Sequence, residues 1–103
     1  MKKPIIIKAK HLPITTFGLM GKDKPYPIHF NTRFGIHTFF MKFPIDVLIL
    51  DDKNKVVKTV KSLQPNKFLL WNPKFSSVLE LPENTIEDED IKLGSEICLH
   101  IRQ

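Results

Sequence analysis

Prolines and glycines divide this chain into short apolar runs, and this spacing limits what the chain can fold into. The 103 residues include eight prolines and four glycines. Proline has no amide hydrogen to donate, and both residue types interrupt regular elements, so the runs between them suit short strands better than long helices. We therefore expect a mainly β fold: a small, partly open β-barrel of about seven strands with one or two short helices.

Strands are predicted wherever a short run combines apolar and β-branched residues between turn signals. These runs are 5–8, 26–30, 36–41, 45–50, 56–61, 67–71, 77–81 and 96–101. Residues 11–24 are expected to be irregular, with a helical turn or tight loop at 15–21. A short helix is expected after Pro82, with Thr85 as its N-cap and acidic residues near its positive end.

Length and composition predict one domain, residues 1–103, with a single modest core. The hydrophobic share of 42% and the charged share of 26% are typical of a globular protein. The single cysteine, Cys98, cannot form an internal disulfide, and we expect it to be a small buried residue. No apolar run approaches the roughly 18 residues of a membrane-spanning helix, and the first residues lack a signal-peptide core. We therefore expect a cytoplasmic protein that does not bind membranes.

The charge is unevenly distributed along the chain. Residues 1–61 carry twelve Lys/Arg and four Asp/Glu, a net +8, whereas residues 62–103 carry four and seven, a net −3. A basic half can attract nucleic acid or another anionic surface. Dispersed lysines, however, also protect the edges of sheets from pairing. Nucleic-acid binding therefore stays an alternative rather than the first hypothesis.

The densest apolar run holds polar residues that require an explanation. On a regular strand Asp46 shares a face with Leu48 and Leu50, so its carboxylate is expected to point where apolar groups point. Burying a charge is unfavourable unless the charge is paired or hydrogen-bonded. Just before this strand, Phe43 and Pro44 predict a bulge or corner, which can redirect nearby side chains.

These features predict a pocket for a small or extended anionic ligand, formed by Arg33, His37, Met41, Lys42 and Asp46. In this hypothesis Lys42 and Arg33 bind the anion, His37 makes a polar contact, and Asp46 orients them. The structural alternative is that Asp46 accepts backbone amides at the corner while His37 lies in the core. A further alternative is an enzyme of unknown class that uses His37 with Asp46.

Other kinds of site find little support in the sequence. No serine or cysteine has a base close by in the chain, so no catalytic triad is indicated. The histidines are scattered without the spacing of a zinc motif, and we expect neither a metal nor a cofactor. The aromatic residues are expected to be mainly in the core: Phe39, Phe40, Phe43, Phe68, Trp71 and Phe75.

Four segments, in this order, resemble those of domain of unknown function family 192, also called uncharacterised protein family 0127. They are 17–21 (Phe-Gly-Leu-Met-Gly), 36–51, 78–82 (Val-Leu-Glu-Leu-Pro) and 91–94 (Ile-Lys-Leu-Gly). The resemblance covers about residues 12–99 and implies a small barrel-like β fold, but no activity. The chain departs from the common pattern at Asn84, where glycine is usual, and in the short connection before Pro44.

Overall fold

The computed structural model describes residues 3–11, 24–33 and 35–102. About half of the described chain is strand, and it holds one short helix. In chain order the elements are β1 (Ile5–His11), β2 (Ile28–Asn31), β3 (Ile36–His37), β4 (Ile45–Leu50), β5 (Val56–Leu63), β6 (Phe68–Leu69), β7 (Ser77–Pro82), α1 (Thr85–Asp88) and β8 (Ile97–Arg102). The predicted mainly β fold is confirmed.

Six strands form one sheet in the order β5-β4-β7-β2-β1-β8, and β3 pairs with β6 in a second, two-stranded sheet. The contacts of β1 with β2 and β8 are parallel, and the other pairings are antiparallel. The two edge strands of the large sheet meet at one end, where Lys55 and Glu96 form an isolated bridge. Backbone bonds from Val56 to Ser95 and from Ile97 to Asn54 extend this contact. The sheet is therefore curled into a partly open barrel.

Strand β4 is buried along its whole length because the sheet carries a core on each face. Leu48 and Leu50 belong to one apolar cluster, together with Leu79 and Leu81 of β7. The alternate residues of β4 belong to the other cluster: Ile45, Val47 and Ile49. This explains why β4, an interior strand of the sheet, shows no polar alternation.

Two predicted strands are much shorter than expected, and a third, 26–30, is one residue shorter. The prediction for 36–41 holds only over β3, because Phe39 and Phe40 form a turn in which Phe40 has a φ of +64°. Its partner β6 is equally short, where 67–71 was predicted. In the predicted irregular segment, residues 12–23 lie outside the described residues.

Two smaller predictions are wrong. Helix α1 has Asn84 as its N-cap, at a φ of +74°, rather than Thr85. The Thr85 hydroxyl instead donates to the carbonyl of Pro82 at 2.6 Å. Cys98 is exposed rather than buried, since it alternates with the apolar Ile97 and Leu99 on an edge strand. Within the described ranges, no helix has the length and apolar character needed to cross a bilayer.

Candidate functional site

Asp46 is completely buried and its carboxylate binds the backbone at two places. One oxygen, Oδ1, accepts the amide of Ser62 at 3.0 Å, and Oδ2 accepts the amide of Ile86 at 2.9 Å. The pairing of β4 with β5 shifts register between Ile45 and Val47, and this irregularity brings Ser62 to the carboxylate. Ile86 lies in the first turn of α1, whose N-cap Asn84 makes no side-chain bond. Asp46 thus joins a bulge to a helix start.

Glu80 is a second buried carboxyl group, on the neighbouring strand β7. It is 4% exposed and lies opposite Ile28 and Val47 in the sheet, which are both core residues. None of the described residues donates a hydrogen bond to it, and burial raises its pKa to about 7. Sequence reasoning did not single it out, although an acid inside the apolar run 78–81 was the available signal.

Three rings form a contact chain at the two-stranded sheet, where His37 and Phe68 are paired across the strands. His37 stacks on Phe39 at a centroid distance of 5.0 Å, and Phe39 meets Phe68 edge-on at 4.8 Å. Phe40 follows in the chain and is 76% exposed, and Phe68 is 69% exposed. These four residues, His37, Phe39, Phe40 and Phe68, are called the aromatic surface below.

Thr38 fixes the aromatic surface from beneath. It is fully buried, and its hydroxyl donates to the carbonyl of Gln64 at 2.7 Å and accepts the amide of Lys67 at 2.9 Å. Its backbone N–H and C=O bond to Lys67 and Asn66. These four hydrogen bonds of Thr38 hold residues 36–41 and 64–68 together, so the backbone that carries the exposed rings is fixed.

Comparison with known proteins identifies the family. The model of domain of unknown function family 192 (DUF192), described as an uncharacterized ACR, matches residues 9–99. The chain belongs to DUF192. No curated protein matches it.

Two solved structures share the fold of this DUF192 chain. One is a protein of unknown function from Novosphingobium aromaticivorans DSM 12444, with a TM-score of 0.74 and 15% identity over 84% of this chain and 70% of that one. The other, from Sinorhizobium meliloti 1021, is described as a "putative transcription regulator"; its TM-score is 0.70, with 14% identity over 84% and 76% of the two chains. At such identities the likeness shows the fold alone.

The structure places the five residues predicted for the anion pocket at different depths and with different partners. Arg33 is exposed and donates to the carbonyls of Pro73 and Lys74 at 3.0 and 3.3 Å. Met41 is 8% exposed and packs in the core beneath the turn. His37 and Lys42 are exposed, whereas Asp46 is fully buried. The backbone bonds of Asp46 match the structural alternative for this residue, and no hydrogen bond in the described chain joins it to His37.

The prediction that the aromatic residues are mainly in the core is wrong for Phe40 and Phe68. Phe43, Trp71 and Phe75 do pack against the core as expected. The exposure of Phe40 results from its left-handed backbone, which turns the chain out of the β3 strand. Alternation of residue types gives no sign of such a turn. The Pro65-Asn66 pair was the one available signal for the turn that precedes β6.

Proposed function

We propose that this DUF192 domain is a binding module for an anionic ligand that carries flat rings, and that the ligand lies on the aromatic surface. The exposure of Phe40 and Phe68 carries the proposal. Burying a phenylalanine stabilises a fold by roughly 1.5–3 kcal/mol, and neither Phe40 nor Phe68 contributes that stabilisation in full because both are exposed. Clustered exposed apolar groups characterise interaction sites.

The backbone of the aromatic surface also supports a binding role. Phe40 has a φ of +64°, a left-handed conformation that is unfavourable for a bulky side chain. Strained residues of this kind cluster at ligand-contacting positions. The bonds of Thr38 hold the surface in place before a ligand arrives, which lowers the entropic cost of binding.

The charges around the aromatic surface favour an anion. Lys67 precedes Phe68 and is exposed, and Lys42 is exposed two residues after Phe40. The amide of Phe39 donates to Nδ1 of His37 at 3.3 Å, so in the neutral imidazole Nε2 carries the proton and can donate to a ligand. With a net charge of +5, the protein attracts anions from a distance.

Nucleotides combine a flat ring with phosphate, and they occur both free and in single strands. Stacking of bases on exposed aromatic rings, with lysines along the backbone, is the general mode of single-strand binding. Of the sequence-predicted residues, His37 and Lys42 contact the ligand in this proposal. Met41 and Asp46 support the site from within the fold.

The test is a fluorescence anisotropy titration with a labelled oligothymidylate of about ten nucleotides, with thymidine triphosphate and inorganic polyphosphate as competitors. Phe68→Ala is expected to weaken binding by roughly 5- to 150-fold, because one stacked base contributes about 1–3 kcal/mol. Leu93→Ala is the matched control, since Leu93 is 68% exposed but is not part of the aromatic surface. Lys67→Ala should reduce the salt slope by about one.

The competitors identify the source of the ligand. Displacement by thymidine triphosphate at concentrations similar to the oligonucleotide indicates a free nucleotide, and weak displacement indicates a single strand. If polyphosphate displaces the oligonucleotide as well as thymidine triphosphate does, and Phe68→Ala binds it with unchanged affinity, the binding is due to charge alone. That result, or no binding at low salt, overturns the proposal.

A further inference from the structure

Three polar side chains from three neighbouring strands meet on the large sheet, away from the aromatic surface. His11 ends β1 and is paired with His29 of β2 in the parallel register. Ser77 begins β7, where Leu79 lies directly opposite His29. Ser77 is therefore the diagonal neighbour of His29 on the same face, within reach of a side chain as long as histidine.

The hydrogen bonds run in a line through His29. Its Nε2 lies 2.8 Å from the hydroxyl oxygen of Ser77, and its Nδ1 lies 2.9 Å from Nδ1 of His11. A bond between two Nδ1 atoms needs one donor and one acceptor. When His29 donates from Nδ1 to His11, its Nε2 holds a lone pair directed at the Ser77 hydroxyl. This is the order of nucleophile, base and orienting group.

The surroundings of His29 keep it in its basic, neutral form. Partial burial lowers the pKa of His29, and the nearby His11 lowers it further. A general base must be unprotonated at the working pH.

Ser77 and His29 line an open surface cavity of about 510 Å³. The lining is apolar at Leu50; Arg33 and Lys74 contribute positive charge to it, and Asp51 and Asp52 contribute negative charge. Arg33 is held at this cavity by its bonds to the carbonyls of Pro73 and Lys74. It is thus the group available to stabilise negative charge that develops on a substrate oxygen.

We propose that Ser77, His29 and His11 form a second site on this protein, a serine nucleophile with a histidine base, that hydrolyses small carboxylic esters. The Ser77 oxygen bonds to the ester carbonyl carbon as its proton passes to Nε2 of His29. The bond to the leaving alcohol then breaks, and Nε2 returns the proton to that oxygen. Water next attacks the acyl-serine, with its proton passing through His29 to the Ser77 oxygen, and the carboxylic acid leaves.

His11 is a positioning residue in this proposal. Among the described residues its side chain bonds to His29 alone, so in this proposal it acts by fixing the ring orientation and the tautomer. This site does not depend on the aromatic surface, none of whose residues lines the cavity, so loss of either activity leaves the other intact.

The test uses hydrolysis of p-nitrophenyl acetate and labelling by a fluorophosphonate, mapped by mass spectrometry. Ser77→Ala and His29→Ala are each expected to lower kcat/KM by roughly 100-fold or more, and labelling is expected at Ser77 in the wild type only. Ser76→Ala is the matched control, since Ser76 lines the same cavity without bonding to His29. His11→Ala should lower kcat and leave KM unchanged. His11→Asn keeps an acceptor for the Nδ1–H of His29 and should therefore recover part of the lost kcat.

A second pair of variants covers the case in which Ser77→Ala does not fold. The thiol of Ser77→Cys should react with iodoacetamide at least about tenfold faster than that of Ser76→Cys, because a neighbouring imidazole activates a thiol. Peptide mapping separates both from the native Cys98. Ester hydrolysis that persists in Ser77→Ala, an unlabelled Ser77 in the wild type, or equal thiol reactivities would each overturn the proposal.

Discussion

Asp46 and Glu80 lie one register position apart on neighbouring strands, yet their carboxyl groups differ in their hydrogen bonding. Asp46 is paired with Leu81, and Glu80 with Val47, so the two side chains point to opposite faces of the sheet. Asp46 is completely buried and Glu80 almost so. The first accepts two backbone amides, and the second receives no hydrogen bond from the described residues.

The comparison shows that partners, rather than burial, decide what a buried acid contributes. Asp46 accepts the amide of Ile86, which is buried, and that of Ser62, which is half-buried, so removing it leaves two amides without this acceptor. Glu80 has only desolvation acting on it, so its charged form is disfavoured and its pKa rises. One carboxyl group therefore stabilises the fold, and the other opposes it once ionised.

The largest effect is expected from removing the satisfied acid. Asp46→Ala should lower the free energy of unfolding by roughly 1–6 kcal/mol, at about 1–3 kcal/mol for the buried amide of Ile86 and up to the same again for the half-buried amide of Ser62. Urea denaturation measures the change. Asp46→Asn keeps one side-chain oxygen as an acceptor, so its free energy of unfolding should fall clearly less than that of Asp46→Ala. If Asp46→Ala lowers the free energy of unfolding by less than about 1 kcal/mol, the comparison fails, because the bonds to the two amides would then contribute little to stability.

Glu80 should instead give a pH-dependent effect. Its pKa rises from 4.5 to about 7 on folding, so between these values the folded state binds more protons and stability falls as the pH rises. Glu80→Gln removes this dependence. Relative to wild type, the variant should therefore gain roughly 3 kcal/mol between about pH 4 and pH 8.

Denaturation midpoints of wild type and variant at the two pH values measure this gain. Glu83→Gln is the matched control, since Glu83 is an exposed acid three residues further along the chain. Parallel pH curves for wild type and Glu80→Gln would contradict the comparison, because they would mean that Glu80 ionises freely in the folded state.

Local pattern was enough to predict the position of Asp46 but not its partners. The strand 45–50 follows from the dense apolar run between turn signals, and the face that Asp46 shares with Leu48 follows from the two-residue repeat of a strand; the structure confirms both. The two amide donors, Ser62 and Ile86, lie 16 and 40 residues away in the chain. Their meeting depends on a register shift in β5 and on where α1 begins, and neither is a local property of the sequence.

The aromatic surface shows the same limit. Residue type predicts that phenylalanine is buried, and for Phe43 and Phe75 that prediction is confirmed. Phe40 and Phe68 are exposed because a short strand pair ends in a turn, and the hydrogen bonds of Thr38 to residues 64–67 hold that turn in place. The local sequence pattern does not indicate these hydrogen bonds, because they join residues far apart in the chain.

The smallest effect on stability is expected at Asp51. Like Asp46 it accepts two backbone amides, but it does so in a turn that is open to solvent. One of its oxygens, Oδ1, accepts the amides of Lys53 and Lys55 at 2.8 and 2.9 Å in the β4–β5 turn. Asp51→Ala should lower the melting temperature by less than Asp46→Ala, because water can replace the lost acceptor. Asp52→Ala, at an exposed acid in the same turn, is the control.

The pH dependence of Asp51 sharpens the contrast with Glu80, because its sign is opposite. The amide of Lys55 holds the pKa of Asp51 below its ordinary value, with help from the amide and the charge of Lys53. A lowered pKa means that the stabilisation is present above the unfolded value of 3.8 and is lost as the pH falls through the folded value. The melting temperatures of wild type and Asp51→Ala should therefore converge in acid, whereas Glu80→Gln should diverge from wild type in base. Convergence of both pairs at the same end of the pH range would mean that hydrogen bonding and desolvation do not act separately on these two acids.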